Sequence, residues 1–351
     1  MVGAKRHPGE DMKRFVMWSC VVCLLILVGM HWVRAQSQDE EGMHGMQMHH
    51  GMHHARSAAA KLTVADDPTA RTITARLGPL DLPAHADHMA IAQPRDAFLT
   101  IPFDGWLVAY HPRLVAGDGA AIPNKLLHHV AFWNTRRPDF LCPNKEEHIF
   151  GAGGEMNDWP EVPGFGYRVA NGDRIRVETM VSNPTDTNYP QAYLEVRMEY
   201  RKLGTDTAAI KSVYPVWFDV MECKNSGYDL KPGKNLTAGK FTVPYAGELL
   251  GVGGHLHDYG RGIVLTDVTQ KKEIAKLDST LDPSGRLLEM PIVSFADRGG
   301  YRLERGEQIQ VTATYENPTG KELPGGAMGI VVGYFLPDSD APLAALARRT
   351  K

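Results

Sequence analysis

The chain has 351 residues, enough for two domains with real hydrophobic cores. Its formal net charge is −3 from 38 basic and 41 acidic residues, which argues against a nucleic-acid partner, and no Lys/Arg run marks a membrane-surface patch. The 35 glycines and 23 prolines separate short runs rich in Val, Ile, Tyr and Thr, the composition of an all-β protein with many turns.

In chain order, an export segment comes first. Lys5, Arg6, Lys13 and Arg14 precede the apolar run "FVMWSCVVCLLILVGMHWV", Phe15 to Val33, and Val33 and Ala35 stand at the small-residue positions of a cleavage site. Residues 1–35 are therefore a signal peptide or a retained N-terminal anchor, since 19 apolar residues just span a bilayer. Either way the remainder lies outside the cytoplasm, periplasmic or secreted. Residues 36–75 read as a disordered tail. Within it, "GMHGMQMHHGMHH" (42–54) carries five histidines and four methionines without apolar periodicity. Soft thioether with imidazole favours copper over zinc, so this tail is expected to capture or deliver copper.

A first β-sandwich is predicted over residues 76–204. It contains the adjacent pair His128 and His129 in "LLHHVAFWN". Neighbours on an ideal strand point to opposite faces, so both reach one ion only if different ring nitrogens are used or a bulge re-aims one side chain. Farther on come His148 in "NKEEHIFG", and "GGEMNDWPEVPGFGYRV" (153–169), a loop and strand with acids that look exposed and Met156 as an outlying metal contact. The segment "NGDRIRVETMVSNPT" (171–185) closes this half. It aligns without gaps with "RGEQIQVTATYENPT" (305–319): Gly, an acid, Ile, Val and the final Asn-Pro-Thr recur in place. The match predicts a duplicated β framework, with "GTDTAAI" as linker and a second sandwich over 211–340.

In the second half, "GVGGHLHDYG" sets His255 and His257 on one face of a strand, and Asp258 and Tyr259 follow as turn residues or as orienting partners of an imidazole. Met328 begins a later apolar strand. Two His and a Met make a soft site with open positions, suited to a copper that changes oxidation state. Gly260 and Arg261 stand where a cupin-type site would need a Glu. Cys142 and Cys223, the cysteines beyond the export segment, form an even pair in an oxidising compartment, and sequence alone leaves their bonding open.

Together these residues resemble the copper type II, ascorbate-dependent monooxygenases, the family of peptidylglycine α-hydroxylating monooxygenase and dopamine β-monooxygenase. The resemblance covers about residues 76–338. It implies two tandem jelly-roll-like antiparallel β-sandwich domains facing a solvent cleft, with one copper on each. His128 and His129 match the adjacent pair of the electron-passing site. His255, His257 and Met328 match the site that binds oxygen and hydroxylates substrate. The resemblance further implies two coppers, dioxygen, and ascorbate or another external reductant.

The departures are specific. The electron-passing site's third histidine is absent from its expected register, which holds Met180. Met180 is a substitute ligand favouring Cu(I), or the site is weakened; His148 does not match the register. Peptide-amidating members hold a substrate carboxylate with an Asn, a Tyr and an Arg at positions that are here Ile330, Val332 and Gly253. A neutral or apolar small organic substrate is expected instead. The expectation is an exported copper monooxygenase; the alternative is a non-catalytic copper-handling protein on the same fold.

Overall fold

A computed structural model describes residues 56–57, 60–155, 158–204 and 209–339. The chain divides into Met1–Gln47 and Met48–Lys351, and all described residues lie in the second unit. The export segment, the Met/His tail at 42–54, Met156 and the linker residues 205–208 fall outside the described residues. Among the described residues no helix is long and apolar enough to cross a membrane.

The described residues form antiparallel β-structure almost throughout, with two short 3-10 turns at Asn124–Leu126 and Ala296–Arg298. The all-β expectation holds. Alternation explains the strands: in Arg174–Val181, Ile175, Val177 and Val181 turn inward while Arg176, Glu178 and Met180 occupy the other face. The sheet begins earlier than composition suggests. Lys61–Asp67, inside the stretch read as tail, is a strand paired with Thr72–Leu82. Its side chains are almost all exposed, so this edge strand is held by its backbone ladder and by Leu62, which packs against the first core.

Two four-stranded sheets are copies of one another in order. One runs Ala97–Thr100, Arg174–Val181, Leu127–Pro138, Glu146–Ala152; the other runs Gly233–Thr242, Gln308–Asn317, Gly260–Asp267, Lys272–Asp278. The repeated segments occupy the same second position in each. The correspondence extends to single hydrogen bonds. Asp173 accepts from Ala170 N at 2.9 Å and Glu307 from Glu304 N at 2.7 Å. Asn183 and Asn317 each accept from the backbone N of the Thr two residues on at 3.0 Å, and from its hydroxyl at 2.7 Å.

Two apolar cores follow the two halves of the sequence, one around Leu77, Leu107, Phe132 and Val177, the other around Phe218, Val252, Leu265 and Val311. A ten-stranded sheet crosses both. Its junction is a parallel pairing of Phe165–Val169 with Lys211–Asp219. The halves also approach closely elsewhere: a Cβ on Gly151 would meet the Trp217 ring at 2.6 Å, so only glycine fits there. Cys142 and Cys223 are bonded across the halves, with Cα atoms 5.5 Å apart, and Phe140, Leu141 and Cys142 pack with the second core.

Candidate metal centre

The first histidine pair is set by a bulge. On Leu127–Pro138, His129 faces Met180 and Leu127 faces Val181, so His128 is the bulged residue of that ladder. Leu127 and Val130 both turn into the first core, and the bulge leaves His128 and His129 together on the other side. Their ring centroids lie 5.3 Å apart. Met180 and His129 are buried and directly opposed, which places their side chains on one face of the sheet.

The second set converges through a tyrosine. Gly247–Leu256 runs antiparallel to Gly329–Pro337, with His255 opposite Ile330 and Leu256 opposite Gly329. His257 and Met328 follow just beyond these pairs. The buried Tyr315 hydroxyl accepts from His257 N at 2.8 Å and from Met328 N at 3.1 Å, and donates to the Met328 carbonyl. One donor and two acceptor positions are thus all used. Burial drives the Tyr315 pKa upward, so the hydroxyl keeps its proton. The backbones of His257 and Met328, seventy-one positions apart in sequence, are fixed to a single oxygen.

His255 is buried, and its Nδ1 is paired with the carboxylate of Glu155, also buried. A carboxylate on Nδ1 holds the ring's orientation and keeps the proton there, leaving the Nε2 lone pair for a metal. That Nε2 is itself buried and has no hydrogen-bond partner among the described residues. A buried orphan nitrogen on an oriented ring fits a metal ligand. Met328 is also buried, but it groups with Ile330 and Val332 under Trp159 and Trp217, and it does not line the histidine cavity.

The two histidine sets adjoin. A cavity of about 440 Å³ is lined by His88, His128, Glu155, His255 and His257, among others. The His128 ring lies 4.9 Å from that of His257 and 5.0 Å from that of His88, and His255 lies 5.6 Å from His257. With metal–nitrogen bonds of about 2 Å, two imidazoles on one ion have centroids roughly 4.5–6 Å apart. Each of these pairs is in that range, the cross-set pair His128 and His257 included, so spacing alone does not divide the histidines between ions. Among the described residues no group of three or more His, Cys, Asp or Glu side chains is placed to hold a metal ion.

The remaining sequence candidates separate cleanly. His148 is stacked on Trp217 at 3.9 Å and sits opposite Trp133; burial lowers its pKa well below the usual value, and its place four residues along the strand keeps it away from His129. Asp258 accepts from Leu287 N at 2.9 Å, and Tyr259 has a left-handed φ of 68° with its N–H on Gly285, so both are turn residues. Glu155, read from sequence as an exposed acid, is the correction: it is buried, and a Cβ on Gly153 would strike its carboxylate. No local pattern in the sequence marked it.

No family model and no curated protein matches the chain. Among solved structures it is similar to PNGF-II in space group P21, with 9% identity and a TM-score of 0.38 over 75% of this chain and 66% of that one. PNGF-II in space group C2 gives 10% identity and a TM-score of 0.32 over 82% and 64%. The major capsid protein P2 from bacteriophage PM2 gives 11% identity and a TM-score of 0.31 over 76% and 98%. The chain spans just under two thirds of the length of the PNGF-II chains it matches.

Proposed function

We propose that the protein is an exported copper-dependent monooxygenase, built on two tandem jelly-roll-like domains (residues 76–204 and 211–340), that hydroxylates a C–H bond of a neutral small organic substrate. The observation that carries this reading is His255: its ring is oriented by buried Glu155, its Nε2 is buried and orphaned, and His257 adjoins it. His255, His257 and Met328 would hold one copper, and His128 and His129 the other. Copper, when bound, supplies one-electron chemistry that no side chain offers, with dioxygen and ascorbate or a similar reductant as co-substrates.

The chain's own residues do the rest. Glu155 keeps the His255 proton on Nδ1, Tyr315 ties the His257 and Met328 backbones together, and Trp159 and Trp217 pack against the apolar cluster of Met328, Ile330 and Val332. A second reading, copper handling without turnover, draws on one observation: the Met328 side chain lies among apolar neighbours and not on the cavity wall.

Oxygen consumption by the copper-loaded chain with ascorbate separates the two. Turnover that Met328→Ala abolishes while one copper per chain remains bound is the expected result. Equal oxygen consumption in Met328→Ala would remove the sulfur from the site, and its complete absence in the parent chain would favour handling.

A further inference from the structure

We propose that His88 supplies the third nitrogen of the first metal site, beside His128 and His129. This rests on the copper reading above and names the ligand set of that site. The missing third histidine thus comes from upstream of the pair, forty positions before His128, where the downstream register holds only Met180.

The loop carrying His88 is tied to the bulge that aims the histidine pair. Gln93, itself buried, donates from Nε2 to the His88 carbonyl at 2.8 Å and to the Val181 carbonyl at 2.9 Å. Its Oε1 accepts from Val181 N at 2.9 Å. Val181 is the residue paired with Leu127, immediately beside the extra residue His128. One buried amide therefore links the backbone of His88 to the ladder position that fixes His128. Asp87 closes the turn around His88 by accepting from Met89 N and Ala90 N, each at 2.9 Å. The ring is half-buried and stacks nearly parallel on that of His128, with centroids 5.0 Å and planes 6° apart, and the His128 ring lies 5.3 Å from that of His129.

Met180 stands across the ladder from His129, and neither of these two lines the cavity that His88 and His128 share. Donor chemistry separates His88 from Met180. A thioether in third place favours Cu(I) and makes an electron harder to release, whereas imidazole accepts both oxidation states. A three-imidazole site suits a copper that must pass its electron on.

The test uses the full-length chain, so that the Met/His tail contributes equally to every sample. His88→Ala, His88→Phe, Met180→Leu and His128→Ala are loaded with Cu(I), dialysed against a chelator and assayed for copper per chain. Circular dichroism melts check that each is folded. X-ray absorption of the Cu(I) form counts sulfur neighbours. The expected result is that both His88 variants lose the same single copper as His128→Ala, and that Met180→Leu loses none and leaves the sulfur count unchanged. Retention of that copper in the folded His88 variants, with its loss in Met180→Leu, overturns the assignment and leaves the copper reading standing. Full copper retention in His128→Ala overturns both.

Discussion

Glu155 and His255 lie 100 positions apart and come from different halves of the chain. Their pairing makes a measurable demand. In Glu155→Gln the amide keeps the size of the side chain but loses the charge that holds the Nδ1 proton. Removing such an orienting partner typically weakens metal binding by about 10- to 100-fold. Chelator competition on the copper-loaded chain is expected to show a loss of that size, with the melting temperature little changed; an unaltered affinity would reduce Glu155 to a space-filling role. Single residues also mark the limit of what was legible in the sequence. His128, His129, His255, His257 and Met328 stand out because doublets and alternation are local patterns. Glu155 and His88 do not, because the roles proposed for them depend on partners reached only through the fold, and a lone acid after two glycines looks like any loop acid.

At the level of elements, the repeat was the most legible feature, and the hydrogen bonds explain why. The Asn-Pro-Thr closure is a compact unit: Asn183 Nδ2 donates to the carbonyls of Leu82 and Thr187, each at 2.8 Å, and Asn317 Nδ2 to Lys321 at 2.7 Å and Leu230 at 3.2 Å. Both asparagines are almost wholly buried. A side chain that satisfies a distant strand and its own turn at once tolerates no substitute, so the motif survives where the surrounding sequence diverges. Asn183→Ala and Asn317→Ala each leave buried carbonyls unpaired, at about 1–3 kcal/mol per group. Urea unfolding is expected to show losses of about 2–4 kcal/mol for each, similar in size. A large loss in one and none in the other would break the equivalence of the two turns. The bulge at His128 was anticipated only as one of two ways for adjacent histidines to share a face, since a bulge depends on the partner strand's register. The strand Lys61–Asp67 was missed altogether: its alternation is confined to Leu62 and Val64 and stops at Asp66 and Asp67, and only Leu62 packs against the core.

On the scale of the molecule, the halves are joined by covalent, backbone and packing links, and buried acids gather at the join. Asp139 and Asp219 are both raised to about 6, chiefly by burial, against the backbone hydrogen bonds that favour their charged forms. For a carboxyl whose folded pKa exceeds its unfolded one, the folded state binds more protons between the two values. Stability from this source therefore falls as pH rises from about 4 to about 6, and the cost is complete above that. Asp139→Asn still offers an oxygen to Leu141 N and Cys142 N, now without a buried charge. Relative to the parent chain it is expected to gain in melting temperature as pH increases from 4 to 7, a trend that differential scanning calorimetry would read; a pH-independent difference would show that Asp139 ionises freely. The disulfide between Cys142 and Cys223 closes a loop of 81 residues, which by loop length alone is worth about 4 kcal/mol. The sequence singled out the two cysteines but not the parallel junction. Three paired positions, Phe165 to Tyr167 with Lys211 to Val213, carry no pattern that differs from an ordinary strand.

That junction bears on the histidines as well. Any widening of the gap between His128 and His257 by a swing of the halves works against a backbone ladder and a covalent bond at once. Turns contribute to the wall beside these rings: Asp258, Tyr259 and Pro324 to Gly326 line the same cavity.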